Sequence, residues 1–331
     1  MFKPIFYIII FIILSIENGI ASDGVIRFLD SKSEDYAAMS KTIWSLAELG
    51  YQEKETSKLM QSHLEQENFS IDYGVAEIPT AFIASYGSGK PIIAILAEMD
   101  ALPGLSQDAK PERKIIKEGM PGHACGHHLF GAGSIAAAVA VKNWLIETGT
   151  TGTIRLYGTP AEEGGSGKVY MVRAGLFDDV DIAMHWHPSD RNDASPASSL
   201  ANKSAKFRFY GIAAHAAAAP EKGRSALDAV ESMNFMVNLM REHLPEPARI
   251  HYIITEGGAA PNIVPEYAEV YYYARHPDVD ELEKIWARII KVAEAAAIGT
   301  ETTLEYEVMH ANRPLLTNLP LAKLVFEKLS L

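Results

Sequence analysis

The chain has 331 residues, of which 48% are hydrophobic, 9% aromatic and 22% charged, with a formal net charge of −12. This is the composition of a folded protein long enough for two domains. The acidic balance argues against a nucleic-acid or anionic-membrane surface, which needs clustered Lys and Arg, but leaves room for a locally basic pocket.

Lys3 precedes an apolar run from Ile5 to Ile16, and small residues follow up to Ala21 and Ser22. The pattern is that of a signal peptide and is shorter than a bilayer span. Residues 1–21 are therefore expected to direct export, with cleavage near Ala21 and an uncleaved anchor as the alternative. Residues 32–49 read as a helix, with Ser33 as its cap and Met39, Ile43, Leu46 and Leu49 at helical spacing. Glu53 to Glu67 reads as a second helix. Thr80–Tyr86 and Pro91–Met99 read as strands, the second apolar enough to be covered on both faces. A polar loop, Ser106 to Glu118, leads to Gly122-His123-Ala124-Cys125-Gly126-His127-His128 and an apolar helix from Leu129 to Leu145. Thr153–Thr159 is a strand running into Pro160-Ala161-Glu162-Glu163-Gly164-Gly165. A helix from about Ser166 to Ala174 follows, then a strand from Asp181 to His185 and Trp186-His187-Pro188. This alternation predicts an α/β domain over residues 22–200 with a mainly parallel sheet.

From Lys203 the pattern changes to βαββαβ, the order of a ferredoxin-like domain. Its strands are Lys206–Ile212, Arg249–Thr255, Glu266–Arg275 and Leu304–Met309, and its helices Ser225–Leu244 and Asp278–Ile298. Residues 201–309 are expected to be a domain inserted into the first. Residues 310–331, with a helix-like stretch from Leu319 to Leu329, are expected to return to the first domain, with a C-terminal portion missing beyond Leu331.

Asp100, Cys125, Glu162, Glu163 and His187 all fall just past a strand or at a strand–helix junction. Ligand sites of open α/β sheets lie there. Cys125, the single cysteine, and His127 are metal-ligand types in a tight turn. His123 and His128 read as supporting or surface residues. Of the paired carboxylates Glu162 and Glu163, one can ligate while the other moves a proton. His185 and His187 share a strand face, so either could ligate; His187, at the strand end beside Pro188, is preferred. The competing reading is a Cys–His thiol hydrolase, which leaves Glu162, Glu163 and His187 without roles.

The Gly122–His128 stretch, Thr159-Pro160-Ala161-Glu162-Glu163-Gly164-Gly165-Ser166-Gly167-Lys168 and His185-Trp186-His187-Pro188 resemble the metal-site motifs of the zinc-dependent aminoacylase/carboxypeptidase superfamily. The likeness is to its amidohydrolase branch and, within that, to the aminobenzoyl-glutamate utilisation type. Gly211 to Pro220 resembles the histidine motif of that family's dimerisation domain, and Gly257-Gly258 through Asn262 to Arg275 its substrate-carboxylate motif. The resemblance implies a two-metal hydrolase, zinc or manganese, acting on a small N-acyl amino acid, best p-aminobenzoyl-glutamate. It implies Cys125, His127, Glu163 and His187 as ligands, Glu162 as general base and Asp100 as support for a ligand. His215 would stabilise the oxyanion in a partner's site, and Asn262 and Arg275 would hold the substrate carboxylate. A homodimer, or a hetero-oligomer with a related chain, is implied. Two departures stand out: His128 sits where an acidic or amide residue is usual, and a further ligating histidine would lie beyond Leu331. The alternative from a different class is therefore a truncated, inactive homologue that at most binds a partner.

Overall fold

The computed structural model describes residues 4–330, with side chains described from Gly24 onward. The expected export segment, residues 1–21, lies outside the described side chains. The chain divides into two units, residues 1–190 and 191–331.

In the first unit the elements run α1 (Pro4–Leu46), α2 (Lys54–Gln66), β1 (Ser70–Tyr73), β2 (Phe82–Ser88), β3 (Ile92–Glu98), α3 (His127–Thr148), β4 (Gly152–Thr159), α4 (Gly167–Arg173) and β5 (Ile182–Met184). The sheet order is β1-β2-β4-β3-β5. Only β4–β3 and β3–β5 pair in parallel; β1–β2 and β2–β4 are antiparallel, so the parallel character is confined to the strands that end at the site. One face of the sheet packs Phe82, Ile95 and Leu156 against Ile43, Met60, Leu64, Ile135 and Val139 of the helices. The other packs Ile83, Ala94 and Tyr157 against Met171 and Phe177. Burial on both faces is why β3 reads as a continuous apolar run. Helix α3 is long and apolar enough to cross a membrane, but Ala132, Ile135, Ala138 and Val139 are buried in this core.

Two local expectations change. Helix α1 continues upstream of residue 32 because Phe28 and Leu29 also pack on the core. Ser33 is therefore not its cap: its Oγ donates to Asp30 O at 3.0 Å inside the helix. Strand β1 is mostly exposed and carries no apolar alternation, so the sequence does not announce it.

The second unit runs β6 (Ala201–Tyr210), β7 (Ala214–His215), α5 (Ala226–Arg241), β8 (Arg249–Glu256), β9 (Ile263–Val264), β10 (Tyr267–His276), α6 (Val279–Thr300), β11 (Thr303–Asn312) and α7 (Leu319–Leu329). Its antiparallel sheet has the order β11-β6-β10-β8. Ala205, Phe207 and Phe209 alternate inward against Val230, Met233, Ile285 and Ile289. Lys206 and Arg208 alternate outward to Glu269, at 3.1 and 2.8 Å. Ser225 and Asp278 cap α5 and α6 by accepting the amides of Asp228 and Glu281.

The division between units falls before Arg191 rather than at 200/201, and residues 310–331 stay with the second unit. The cause is that β11 remains paired with β6 through Asn312↔Asn202. Leu315 is then held by Ser198 and Ser199, with bonds of 2.7 and 3.0 Å.

Candidate metal centre

The site is assembled at the carboxyl ends of the parallel strands β4, β3 and β5. Register aligns Glu98 of β3 with Thr159 of β4, so Asp100 and the Pro160–Gly165 turn emerge side by side. Gly126, at φ +94, turns the chain into α3, and a Cβ there would lie 3.1 Å from Pro188. Only glycine combines that backbone with that closeness. Cys125, His127 and His187 are thereby brought together.

Cys125 Sγ and His187 Nε2 are 3.3 Å apart. His187 Nδ1 donates to Pro188 O at 2.9 Å, which leaves Nε2 as the basic nitrogen. His127 is fully buried, and its Nδ1 faces Asp100 O at 2.9 Å and Asp100 Oδ1 at 3.1 Å. Its Nε2 looks onto Glu98 Oε2 at 3.0 Å, Glu162 Oε2 at 3.8 Å and Glu163 Oε1 at 4.0 Å. The second oxygen of Asp100, Oδ2, accepts the Glu163 amide at 2.9 Å. Asp100 thus fixes a histidine tautomer and the backbone of a neighbouring carboxylate together, as carboxylates behind metal ligands do.

His127 Nε2, Glu98 Oε2 and Glu163 Oε1 are buried without a hydrogen-bond partner. Buried polar atoms are rarely left so. The ligand atoms of Cys125, His127 and His187 lie within 4.8 Å of one another, as do those of Glu98, His127 and Glu162. Thiol, imidazole and carboxylate donors around unpaired buried atoms suit a borderline divalent cation. The electrostatics agree. Burial alone would lower the His127 pKa, but Asp100 and Glu98 outweigh it and hold it up at about 10. Burial, then Glu163, pushes the Cys125 thiol up to about 12. Burial and the Glu98 charge hold the Glu162 carboxyl above its ordinary value. A pocket that collects protons in this way attracts cations.

His123 and His128 point elsewhere. His123 Nε2 donates to Ile43 O at 3.1 Å, and the His128 ring packs edge-on against Trp44. Burial lowers both pKa values to about 4. His185 faces Glu98 Oε1 at 3.2 Å rather than Cys125.

Residues 201–301 match the M20 peptidase dimerisation domain. The chain is 46% identical over 312 residues to the B-type component of the Escherichia coli p-aminobenzoyl-glutamate hydrolase, covering 92% of this chain and 65% of that protein. It is 33% identical over 291 residues to mouse Xaa-Arg dipeptidase, covering 84% of this chain and 64% of that one. An aminobenzoyl-glutamate utilization protein from Klebsiella pneumoniae superposes with a TM-score of 0.70 at 20% identity, over 92% of this chain and 83% of that one. A dinuclear metal-binding M20 peptidase from Bacillus subtilis superposes with a TM-score of 0.61 at 21% identity, over 89% and 78%. The chain carries an M20 dimerisation domain and shares the fold of M20 peptidases. It spans less than two thirds of the two curated relatives' lengths, 65% and 64%.

Within the M20 dimerisation domain, His215 lies on β7, whose pairing sets His215 opposite Ile263 of β9. Its Nδ1 accepts the amides of Ala217 and Ala218, each at 3.2 Å. Asn262 is its neighbour, since Asn262 O accepts the Ala216 amide at 3.0 Å. Arg275 is not. It lies near the far end of β10, opposite Asn202, while the His215–Asn262 corner sits by the Tyr267↔Tyr210 end. The rise from Tyr267 to Arg275 is roughly 27 Å at strand geometry. Within one chain Asn262 and Arg275 therefore do not lie side by side.

Sequence reasoning passes over Glu98 and Glu53. Glu98, 3% exposed, is the one charge in the apolar run of β3, and that is the signal available for it. Glu53 is fully buried. Its Oε1 accepts the Ala161 amide at 2.8 Å and its Oε2 the Thr80 hydroxyl at 3.0 Å. Ala161 is held there at φ +57, so Glu53 braces the turn that presents Glu162 and Glu163.

Proposed function

We propose that the chain is a metal-dependent amidohydrolase acting on an N-acyl amino acid, with p-aminobenzoyl-glutamate cleaved to p-aminobenzoate and glutamate. The observation that carries the reading is the set of unpaired buried atoms on His127 and Glu163 beside the facing Cys125 and His187. In this reading Cys125, His127, Glu163 and His187 hold two divalent cations, zinc or manganese. Such ions polarise an amide carbonyl and acidify water. Glu162, with a carboxyl held above its ordinary value and a side chain 43% exposed, takes the proton of the attacking water and returns it to the departing nitrogen. His215, whose Nδ1 already accepts two amides, keeps an Nε2–H to donate to the oxyanion. Arg275 offers a guanidinium fork to the substrate carboxylate.

The separation of Arg275 from His215 and Asn262 supports a two-copy site, with His215 and Asn262 reaching a partner's site. The partner is a second copy or a related chain; the Escherichia coli relatives carry the names of two different components of one hydrolase. The outer strand β8 exposes Ile253 and Ile254, and α5 exposes Phe235 and Leu239, which suits association along that edge.

Release of p-aminobenzoate by the metal-loaded protein tests the reading. Glu162→Gln should lower kcat by a factor of about 10² to 10⁴ with little change in KM. A wild-type protein that binds metal yet releases no p-aminobenzoate would remove the substrate assignment.

A further inference from the structure

We propose that Glu98 is itself a metal ligand, its Oε2 sharing an ion with His127 Nε2 while Lys168 and His185 hold its other oxygen. The inference rests on the metal-hydrolase reading above and adds a fifth protein donor to it. Glu98 closes β3 and is 3% exposed, so its charge must be met inside the fold. Oε1 is met: the Lys168 ammonium bonds it, and His185 Nε2 lies 3.2 Å away. Those contacts fix the carboxylate and aim Oε2 at His127.

Oε2 and His127 Nε2 are 3.0 Å apart, within ion-pair distance but outside hydrogen-bond geometry, and neither has another hydrogen-bond partner. Two donors each about 2.0–2.2 Å from one ion lie roughly 3.0–3.5 Å apart, so the spacing is that of neighbours in a coordination shell. Asp100 occupies Nδ1 of His127, so Nε2, once an ion displaces its proton, offers a single lone pair and serves one ion. Cys125 and His187 face each other at 3.3 Å. Glu98 thus supplies the His127 ion with an anionic donor of its own. Glu162 Oε2, 3.8 Å from Nε2, remains the proton carrier beside it.

Zinc titration of chelator-treated protein tests this, followed by calorimetry and by the visible spectrum of the cobalt-substituted protein. Glu98→Gln keeps the shape and removes the anionic donor. Its affinity for one ion should fall by more than about 100-fold, beyond what loss of a supporting contact costs, and its cobalt spectrum should shift. Lys168→Met, which touches only Oε1, should stay within about tenfold of wild type. An E98Q protein that binds two zinc ions within tenfold of wild type, with an unchanged cobalt spectrum, overturns the assignment. If E98Q fails to fold, the wild-type protein crystallised with zinc decides: an ion about 2.0–2.2 Å from Oε2 supports the proposal, and one more than about 3 Å away refutes it. A wild type that binds no metal at all would instead sink the hydrolase reading, a result distinct from loss confined to E98Q.

Discussion

Replacing Glu53 with glutamine should change how the first unit's stability depends on pH. Glu53 is fully buried, and burial, set against its bonds to Ala161 and Thr80, raises its carboxyl from 4.5 to about 7. An acid raised in the folded state binds more protons folded than unfolded between those values, so stability falls as pH rises from 4.5 to 7. The full loss is about 3 kcal/mol, present above pH 7 and absent below 4.5. The glutamine would still accept the Ala161 amide through its carbonyl, and the Thr80 hydroxyl can turn to accept from its amide. The assay is urea unfolding of chelator-treated wild type and E53Q, followed by fluorescence of Trp44, Trp144 and Trp186. Between pH 5 and 8 the stability of E53Q relative to wild type should rise by about 2–3 kcal/mol. A difference that stays constant across that range would refute the reasoning.

Gly158 faces Phe82 across β4 and β2, and a Cβ there would lie 2.1 Å from the Phe82 ring. Gly158→Ala should therefore cost the first unit about 1–3 kcal/mol, read by the same unfolding assay; an unchanged midpoint counts against the packing described. In chelator-treated protein, alkylation of Cys125 should be slow at pH 7.5 and accelerate about tenfold per pH unit well beyond pH 9, since the thiol is pushed up to about 12. A rate that levels off near pH 8 would return a reactive thiolate to consideration.

Much of the site is legible in the sequence because the strands that end at it are covered on both faces. Ile92–Glu98 reads as an apolar run and Thr153–Thr159 as a strand, and their ends locate Asp100 and the Glu162–Glu163 turn without knowledge of pairing. What stays hidden depends on distance in sequence. Glu53 braces Ala161 across 108 positions, and no local pattern ties them. Glu98 sits inside a run whose other members are core, so its charge reads as a strand end. The gap between Asn262 and Arg275 follows from the β6–β10 register, which spacing alone does not reveal. Helix α1 reads too short from sequence because, among the described side chains upstream of residue 32, only Phe28 and Leu29 pack on the core. The helix-like residues 319–329 are readable as an element but not assignable to a unit, since α7 buries none of its side chains.

X-ray absorption at the zinc edge of the zinc-loaded protein tests most directly whether Cys125, His127, Glu163 and His187 form a metal centre. The account predicts retained zinc with a sulfur neighbour at about 2.3 Å and nitrogen or oxygen neighbours at about 2.0–2.2 Å, the sulfur signal vanishing in Cys125→Ser. Zinc that washes out on dialysis, or that shows oxygen neighbours alone, would contradict it.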